Sequence, residues 1–239
     1  MKMRNYLMIA VSGILLTGTA LTNAQANDVW KGNAELGLLL TDGNTETRTT
    51  NAKFKIQNER DKWRHTLSLE ALNSGDSETT TSERYTGKGQ TAYKFSKFNY
   101  AFAEGNGEHD RFSGYDYRAS IVIGYGRRLM DKDDMRLDVE LGPGYRESKP
   151  DATKSEGEGV FQIGGKYDWD ISKTTLFTQE LNSQIGEDAT ISKSITSLSA
   201  QIVGNMAMKT SLTIRNTSKV PDGIEKTDSE LGVTLVYSF

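Results

Sequence analysis

The stretch VTLVYSF at residues 233–239 decides the fold class. Side chains of a β-strand alternate between two faces, and the odd positions of this stretch place four apolar residues on one face. Such a face, ending in Tyr237 and Phe239, is typical of a strand whose outer side contacts lipid, with its last ring at the membrane interface. These two residues also resemble the assembly signal of bacterial outer-membrane proteins, whereas the alternative for this stretch alone is an ordinary sandwich strand.

The beginning of the chain has the pattern of a secretory signal peptide. Lys2 and Arg4 form a short positive region, residues 6–16 are mostly apolar, and the small-x-small sequence AQA occupies residues 24–26. The apolar run is too short for a comfortable membrane-spanning helix. We therefore expect cleavage after residue 26, which divides the chain into a signal peptide at residues 1–26 and a mature domain at residues 27–239.

The composition excludes several classes of protein. The chain has no Cys, so disulfides, thiolate metal sites and a Cys-linked lipid anchor are impossible. The mean hydropathy is -0.57, which excludes a bundle of membrane-spanning helices but suits a β-barrel, because only every second residue of a barrel strand must be apolar. A formal net charge of -3 argues against a nucleic-acid partner.

Alternating segments separated by polar turns continue along the whole mature domain. A clear example is residues 115–127, where Tyr117, Ile121 and Ile123 alternate with Arg118 and Ser120. About twelve such segments of roughly ten residues can be counted, which is the spanning length of a tilted strand. They are residues 30–40, 46–59, 63–72, 83–95, 99–107, 115–127, 135–146, 157–169, 174–182, 190–206, 210–217 and 226–239.

The connections between these segments alternate in length. Short ones lie at residues 60–62, 96–98, 131–134 and 170–172, and longer ones at residues 73–82, 108–114, 147–155, 183–189 and 218–225. Short periplasmic turns and longer outer loops, together with an even number of strands, are typical of bacterial single-chain barrels. The sequence therefore predicts an all-β fold, a transmembrane antiparallel up-and-down β-barrel of about twelve strands with both termini in the periplasm.

Several motifs resemble the YdiY-like family of salt-induced outer-membrane proteins, domain-of-unknown-function family 481. The motifs are LG at residues 36–37 with TDGNTET at 41–47, HDRFSGYDYR at 109–118 with GYG at 124–126, LGPGYR at 141–146, and the last strand. The resemblance covers nearly the whole mature chain and implies a barrel in the bacterial outer membrane. It implies no activity and no catalytic residues, because none is established for the family.

The sequence offers little for catalysis. His65 shares a face with Trp63 and Leu67, so we expect it in the lipid-facing aromatic girdle rather than in a phospholipase site. His109, in a predicted outer loop beside Asp110, could contribute to an acid/base site at the barrel rim, as in a protease, but a salt-bridged loop anchor is the more ordinary interpretation. We expect no enzymatic activity, no cofactor and no metal.

Charged residues of both signs fall on the inward face of the predicted strands. Such charges are costly to bury unless they are hydrated or paired, so the lumen is either a narrow pore or a closed ion-pair network. We expect Arg118 and Arg136 to pair with Asp138, Glu140 and Glu158. The predicted lumen residues are Lys53, Lys55, Arg64, Glu70, Arg84, Lys88, Arg118, Arg136, Asp138, Glu140, Glu158, Lys166, Arg215 and Glu230.

A narrow channel for ions or small solutes, connected with osmotic or salt adaptation as the family name suggests, is the favoured function. A non-conducting structural or surface-interaction barrel is the second hypothesis, and a protease at the rim is a distant third. The expected partners are outer-membrane lipid, lipopolysaccharide, the barrel-assembly machinery and small solutes or ions. We expect the protein to act as a monomer.

Overall fold

The computed structural model describes residues 29–41, 47–75, 80–150, 154–221 and 223–239. The predicted signal peptide at residues 1–26 lies outside these ranges. Within the described residues, no helix has the length and hydropathy needed to cross a bilayer. The strands are β1 Val29–Thr41, β2 Thr47–Glu59, β3 Trp63–Gly75, β4 Thr80–Lys94, β5 Asn99–Asp110, β6 Tyr115–Asp131, β7 Met135–Pro150, β8 Glu156–Ser172, β9 Thr175–Gly186, β10 Thr190–Val203, β11 Met206–Thr217 and β12 Thr227–Ser238.

The strands form one closed barrel in which every strand pairs antiparallel with its neighbours in sequence. The predicted all-β, up-and-down barrel is therefore confirmed. The strands are longer than the predicted ten residues, from 12 residues in β5 to 17 in β6. They continue beyond the membrane-spanning length because pairing with the neighbouring strand keeps satisfying their backbone hydrogen bonds. Much of the predicted outer loops is consequently strand, as in β5, β7 and β9.

The first and last strands close the barrel near the short-turn end. Gly32 and Phe239 exchange two backbone hydrogen bonds of 2.9 Å. The register then runs from Asn33 opposite Ser238 to Leu36 opposite Leu235. On the outer side, the Phe239 ring stacks on Phe54 with centroids 6.2 Å apart, so the end of β12 packs across β1 onto β2.

The outer surface of the barrel is a belt of exposed apolar side chains. On each strand these side chains alternate with inward-facing polar ones, as the period of two requires. A soluble protein rarely exposes such a continuous apolar surface, whereas a lipid bilayer favours it. Members of the belt include Leu36, Leu67, Leu69, Ile121, Ile123, Leu141, Ile163, Leu181, Leu212, Leu231, Val233 and Leu235.

An aromatic wall lines part of the interior. Tyr100 and Phe102 of β5 point inward and are buried with Ala92 and Val122. Gly126 and Gly124 lie opposite them on β6. A Cβ atom at Gly126 would come within 2.2 Å of the Tyr100 ring, and one at Gly124 within 2.6 Å of the Phe102 ring. The two rings therefore pack directly against the glycine backbone of β6, which leaves the rest of the lumen free for polar side chains.

Candidate functional site: the barrel lumen

We call the end of the barrel opposite the short turns the outer end, and an ion-pair network crosses the lumen there. Arg84 of β4 forms ion pairs with Glu230 of β12 and, at 3.5 Å, with Asp110 of β5. Glu108 of β5 forms ion pairs with Arg215 of β11 at 2.6 Å and with Arg118 of β6 at 3.3 Å. Since β4 and β5 are far from β11 and β12 around the wall, the Arg84–Glu230 and Glu108–Arg215 pairs cross the lumen, whereas the other two pairs join neighbouring strands.

We call this group the outer layer; it consists of Arg84, Glu108, Asp110, Arg118, Arg215 and Glu230. Only 3% of the Arg84 side chain is exposed, so water has little access to its guanidinium group. A second cross-barrel bridge lies beside the layer, where Glu70 of β3 binds Lys53 at 3.2 Å and Lys193 of β10 at 3.6 Å. The side chains themselves therefore narrow the lumen.

A hydrated region, which we call the chamber, lies nearer the middle of the strands. Lys88 binds Glu104 at 2.9 Å, and Lys166 lies 3.2 Å from Asp168 and 3.8 Å from Glu180. The side chains of Lys88, Lys166 and Glu180 are 42%, 39% and 43% exposed, although all three point into the barrel. Their exposed surface can only face water in the lumen, so the chamber has room for solvent.

The base of the chamber is fixed by hydrogen bonds from neutral side chains. Gln90 donates to Glu104 at 3.0 Å and to Glu140 at 3.1 Å, and the hydroxyl of Tyr100 donates to Glu140 at 2.9 Å. Gln162, fully buried, donates to Glu104 at 3.3 Å. These amide and hydroxyl groups hold two carboxylates in place without adding positive charge.

The short-turn end of the lumen opens into a cavity of about 330 Å³. Its lining includes Arg64, Tyr100 and Arg128. The guanidinium of Arg64 lies over the Tyr100 ring, 4.8 Å from its centroid, and Arg128 binds Asp138 at 2.8 Å. This end therefore contains open space, and its lining has more cations (Arg64, Lys94, Lys97 and Arg128) than anions (Glu59 and Asp61).

The ion pairs predicted for Arg118 and Arg136 are wrong. Arg118 lies near the outer end opposite Ser148 and binds Glu108, whereas Arg136 is the second residue of β7 and lies at the other end opposite Asp131. Because β6 and β7 run antiparallel, a residue near the start of β6 and a residue near the start of β7 lie at opposite ends of the barrel. The three carboxylates also have other partners: Asp138 binds Arg128, Glu140 binds Tyr100, and Glu158 binds Arg146 at 2.5 Å.

The hypothetical acid/base site around His109 is not assembled. His109 lies in β5 rather than in a loop, and it faces outward, where its ring nitrogen contacts the Asp116 carbonyl oxygen. The next residue, Asp110, points inward and binds Arg84. Adjacent strand residues cannot act on one substrate from opposite faces of the wall. His65 stacks on Trp63 with centroids 5.9 Å apart and bonds Thr91 at 3.1 Å, as a girdle residue would.

Several lumen residues were not predicted from the sequence. Alternation in the sequence assigns no clear face to the β5 and β9 segments, and the inward face of β5 mixes Tyr100 and Phe102 with acidic residues. Alternation from the outward Leu181 and Ile185 would have placed Glu180 inside. Unpredicted lumen residues with ion pairs include Glu35, Glu104, Glu108, Asp110, Arg128, Arg146, Asp168, Glu180, Lys193 and Lys209.

Comparison with known proteins gives the family. The family model described as "Protein of unknown function, DUF481" matches residues 34–239. The chain belongs to the DUF481 family. A relative from Escherichia coli (strain K12), "Uncharacterized protein YdiY", is 26% identical over 216 residues, which cover 90% of this chain and 85% of the relative. The resemblance found in the sequence is therefore confirmed.

Solved structures with a similar fold are outer-membrane barrels. The NanC porin has a TM-score of 0.52 at 10% identity and covers 88% of this chain and 99% of its own. The COG4313 outer membrane channel from Pseudomonas putida F1 has a TM-score of 0.52 at 10% identity, with 90% and 97% covered. At such identities the likeness concerns the fold. The closed barrel and its apolar belt place this DUF481 protein in the bacterial outer membrane.

Proposed function

We propose that this DUF481 protein is a narrow channel for ions or small solutes, and that the outer layer is its narrowest point. One observation carries the proposal: Lys88, Lys166 and Glu180 keep large exposed surfaces inside a closed barrel. Charged groups that are solvated in a membrane-spanning lumen mark a path for water and solutes. A lumen built only for support has no need of this hydrated chamber.

The outer layer performs the role that a folded-in loop performs in wide porins. Two connections at the outer end are short; residues 111–114 join β5 to β6 and residues 187–189 join β9 to β10. Neither can reach the middle of the barrel, and in the longer β11–β12 connection Pro221 and Ile224 lie against Gly114 of the β5–β6 turn. Paired arginines and carboxylates instead reduce the opening, and charges of both signs give a narrow passage that small hydrated ions can pass.

The proposal includes no enzymatic activity, because the two histidines lie on the outer surface and neither forms a catalytic pair. It extends to the physiological role: a narrow, charge-lined path fits control of small-solute permeability, in keeping with the salt-induced family that the sequence resembles. We also propose that the barrel acts as a monomer, surrounded by outer-membrane lipid and lipopolysaccharide, after insertion by the barrel-assembly machinery.

Planar-bilayer recording of the purified protein tests the channel. We expect discrete conductance steps, smaller than those of wide porins, that change when Arg118→Gln removes a cation of the outer layer. Glu140→Gln alters the base of the chamber and should change the steps less. Absence of steps over a range of salt concentrations, in protein shown to be folded by its heat-modifiable gel mobility, would refute the channel.

A non-conducting structural barrel is the second candidate. It is favoured by the extent of pairing in the outer layer, where Glu108 uses both carboxylate oxygens and Arg84 is almost completely buried. Silence of the wild type together with conduction by Arg118→Gln would support this candidate, because the layer would then act as a seal rather than as a filter.

A further inference from the structure

Two arginines of the outer layer have buried donors without a partner among the described residues. These donors are Nε and Nη2 of Arg215 and Nε of Arg84. Guanidinium groups only donate hydrogen bonds, so each of these atoms needs an acceptor. Buried donors of native proteins nearly always have one, so each of these donors requires an acceptor from water or from a solute.

The carboxylates of the layer do not supply the missing acceptors. Oε1 of Glu108 binds Arg118 and Oε2 binds Nη1 of Arg215. Oε1 of Glu230 binds Nη2 of Arg84, and Oδ2 of Asp110 binds Nη1 of the same side chain. These acidic groups thus hold other atoms of the two guanidinium groups, and Asp228, which lies opposite Arg215 on β12, forms no hydrogen bond with its Nε or Nη2.

The orphaned atoms of Arg215 have a specific geometry. Nε and Nη2 lie on one edge of the planar guanidinium group, and their two N–H bonds are parallel. This edge matches the two oxygens of a carboxylate, which accept such a pair in a bidentate fork. A single water molecule can satisfy only one of the two donors well.

Charges of both signs surround Arg215. Lys193 interacts electrostatically with Arg215, Arg84 and Lys53, so these four cations lie near one another. The acidic groups that face the same space are Glu70, Glu108, Asp110, Asp228 and Glu230, and all of them except Asp228 are engaged in ion pairs.

We propose that the outer layer contains a binding site for the carboxylate group of a small organic anion, held bidentate by Nε and Nη2 of Arg215 and assisted by Nε of Arg84 and by Lys193. Binding itself requires only the geometry of the folded barrel. Its consequence, a channel that prefers carboxylate solutes at its narrowest point, rests on the proposed function.

Calorimetric titration of the purified, detergent-folded protein with sodium acetate tests the site, with sodium chloride keeping the ionic strength constant. We expect the wild type to bind acetate, and Arg215→Gln to bind roughly tenfold more weakly or not at all, as expected for the loss of charge-assisted hydrogen bonds. Arg215→Lys should lose nearly as much affinity, because lysine keeps the charge but lacks the two-pronged edge.

Arg128→Gln is the matched control, because it removes a lumen arginine that pairs with Asp138 at the other end of the barrel. It should bind acetate like the wild type. No acetate binding by the wild type, or equal affinity in Arg215→Gln and the wild type, would overturn the site and assign the free edge to water. If Arg215→Gln does not fold, the comparison of Arg215→Lys with the wild type decides.

The site and the channel can fail separately. Acetate binding by a protein that is silent in bilayers would keep the site and refute the proposed function. Conduction without acetate binding would keep the channel and refute the site. In a conducting protein, acetate should also reduce the chloride current of the wild type and not that of Arg215→Gln.

Discussion

The outer layer and the aromatic wall both fill part of the same lumen, but they do so by different physics. The outer layer joins strands from opposite sides of the barrel through buried ion pairs such as Arg84 with Glu230. The aromatic wall instead packs Tyr100 and Phe102 onto glycines of the neighbouring strand. Packing of this kind is permanent and local, whereas cross-barrel ion pairs can rearrange. We therefore expect any change in the width of the lumen to occur in the outer layer.

The largest effect is expected from breaking the outer layer at its most buried cation. Arg84→Ala leaves Glu230 and Asp110 without their shared partner, and breaking a buried ion pair costs about 3–5 kcal/mol. The free energy of unfolding can be measured by urea titration of the folded band in heat-modifiable gels. Arg128→Ala, which removes a more exposed arginine from Asp138, should lower the free energy of unfolding much less. Equal losses of stability in the two variants would show that the outer layer contributes no more than other lumen ion pairs.

A somewhat smaller effect is expected from the aromatic wall. Gly126→Ala places a methyl group within 2.2 Å of the Tyr100 ring, and overpacking of this kind costs about 1–3 kcal/mol. Gly105→Ala is the control, because a Cβ atom there meets no atom within 4 Å. Both variants are followed by the same urea titration. If Gly126→Ala were as stable as Gly105→Ala, the wall would not be tightly packed.

Both regions depend on closure of the barrel between β1 and β12. Deletion of Phe239 tests this closure. Deleting Phe239 removes its two backbone bonds to Gly32 and its stacking on Phe54 and Tyr237, with about 1 kcal/mol expected for each aromatic pair. We expect less folded protein in the outer membrane and more degradation in the periplasm, as measured by immunoblotting of membrane fractions. An unchanged folded level would contradict the proposed assembly role of Tyr237 and Phe239.

The smallest effect is expected in the hydrated chamber. Lys166→Gln removes ion pairs with Asp168 and Glu180, whose surroundings are solvated, so the stability change should stay within about 1 kcal/mol. The same substitution should nevertheless alter the conductance, because it changes the charge along the path. A loss of stability as large as that of Arg84→Ala would show that the chamber is as dry as the outer layer.

The barrel and the inward position of most charges could be predicted because strand alternation is a local property. Arg118 and Glu158 fall inside simply by phase. Their partners could not be predicted, since a pairing such as Arg215 with Glu108 depends on strand length, tilt and register around the whole barrel. The aromatic wall was missed for another reason: an inward Tyr100 or Phe102 breaks the rule that apolar residues face lipid, and only the glycines opposite them on β6 explain the exception.

The central claim, a hydrated chamber narrowed at its outer end by the outer layer, is tested most directly by thiol accessibility, because the chain contains no cysteine. Thr213→Cys places a thiol beside Glu230, where Thr213 is 5% exposed, and Lys166→Cys places one in the chamber. In proteoliposomes, a charged methanethiosulfonate reagent should modify the thiol at position 166 quickly and the thiol at position 213 slowly, and adding Arg84→Ala should make position 213 reactive. Equal rates at the two positions in the intact layer would contradict the account.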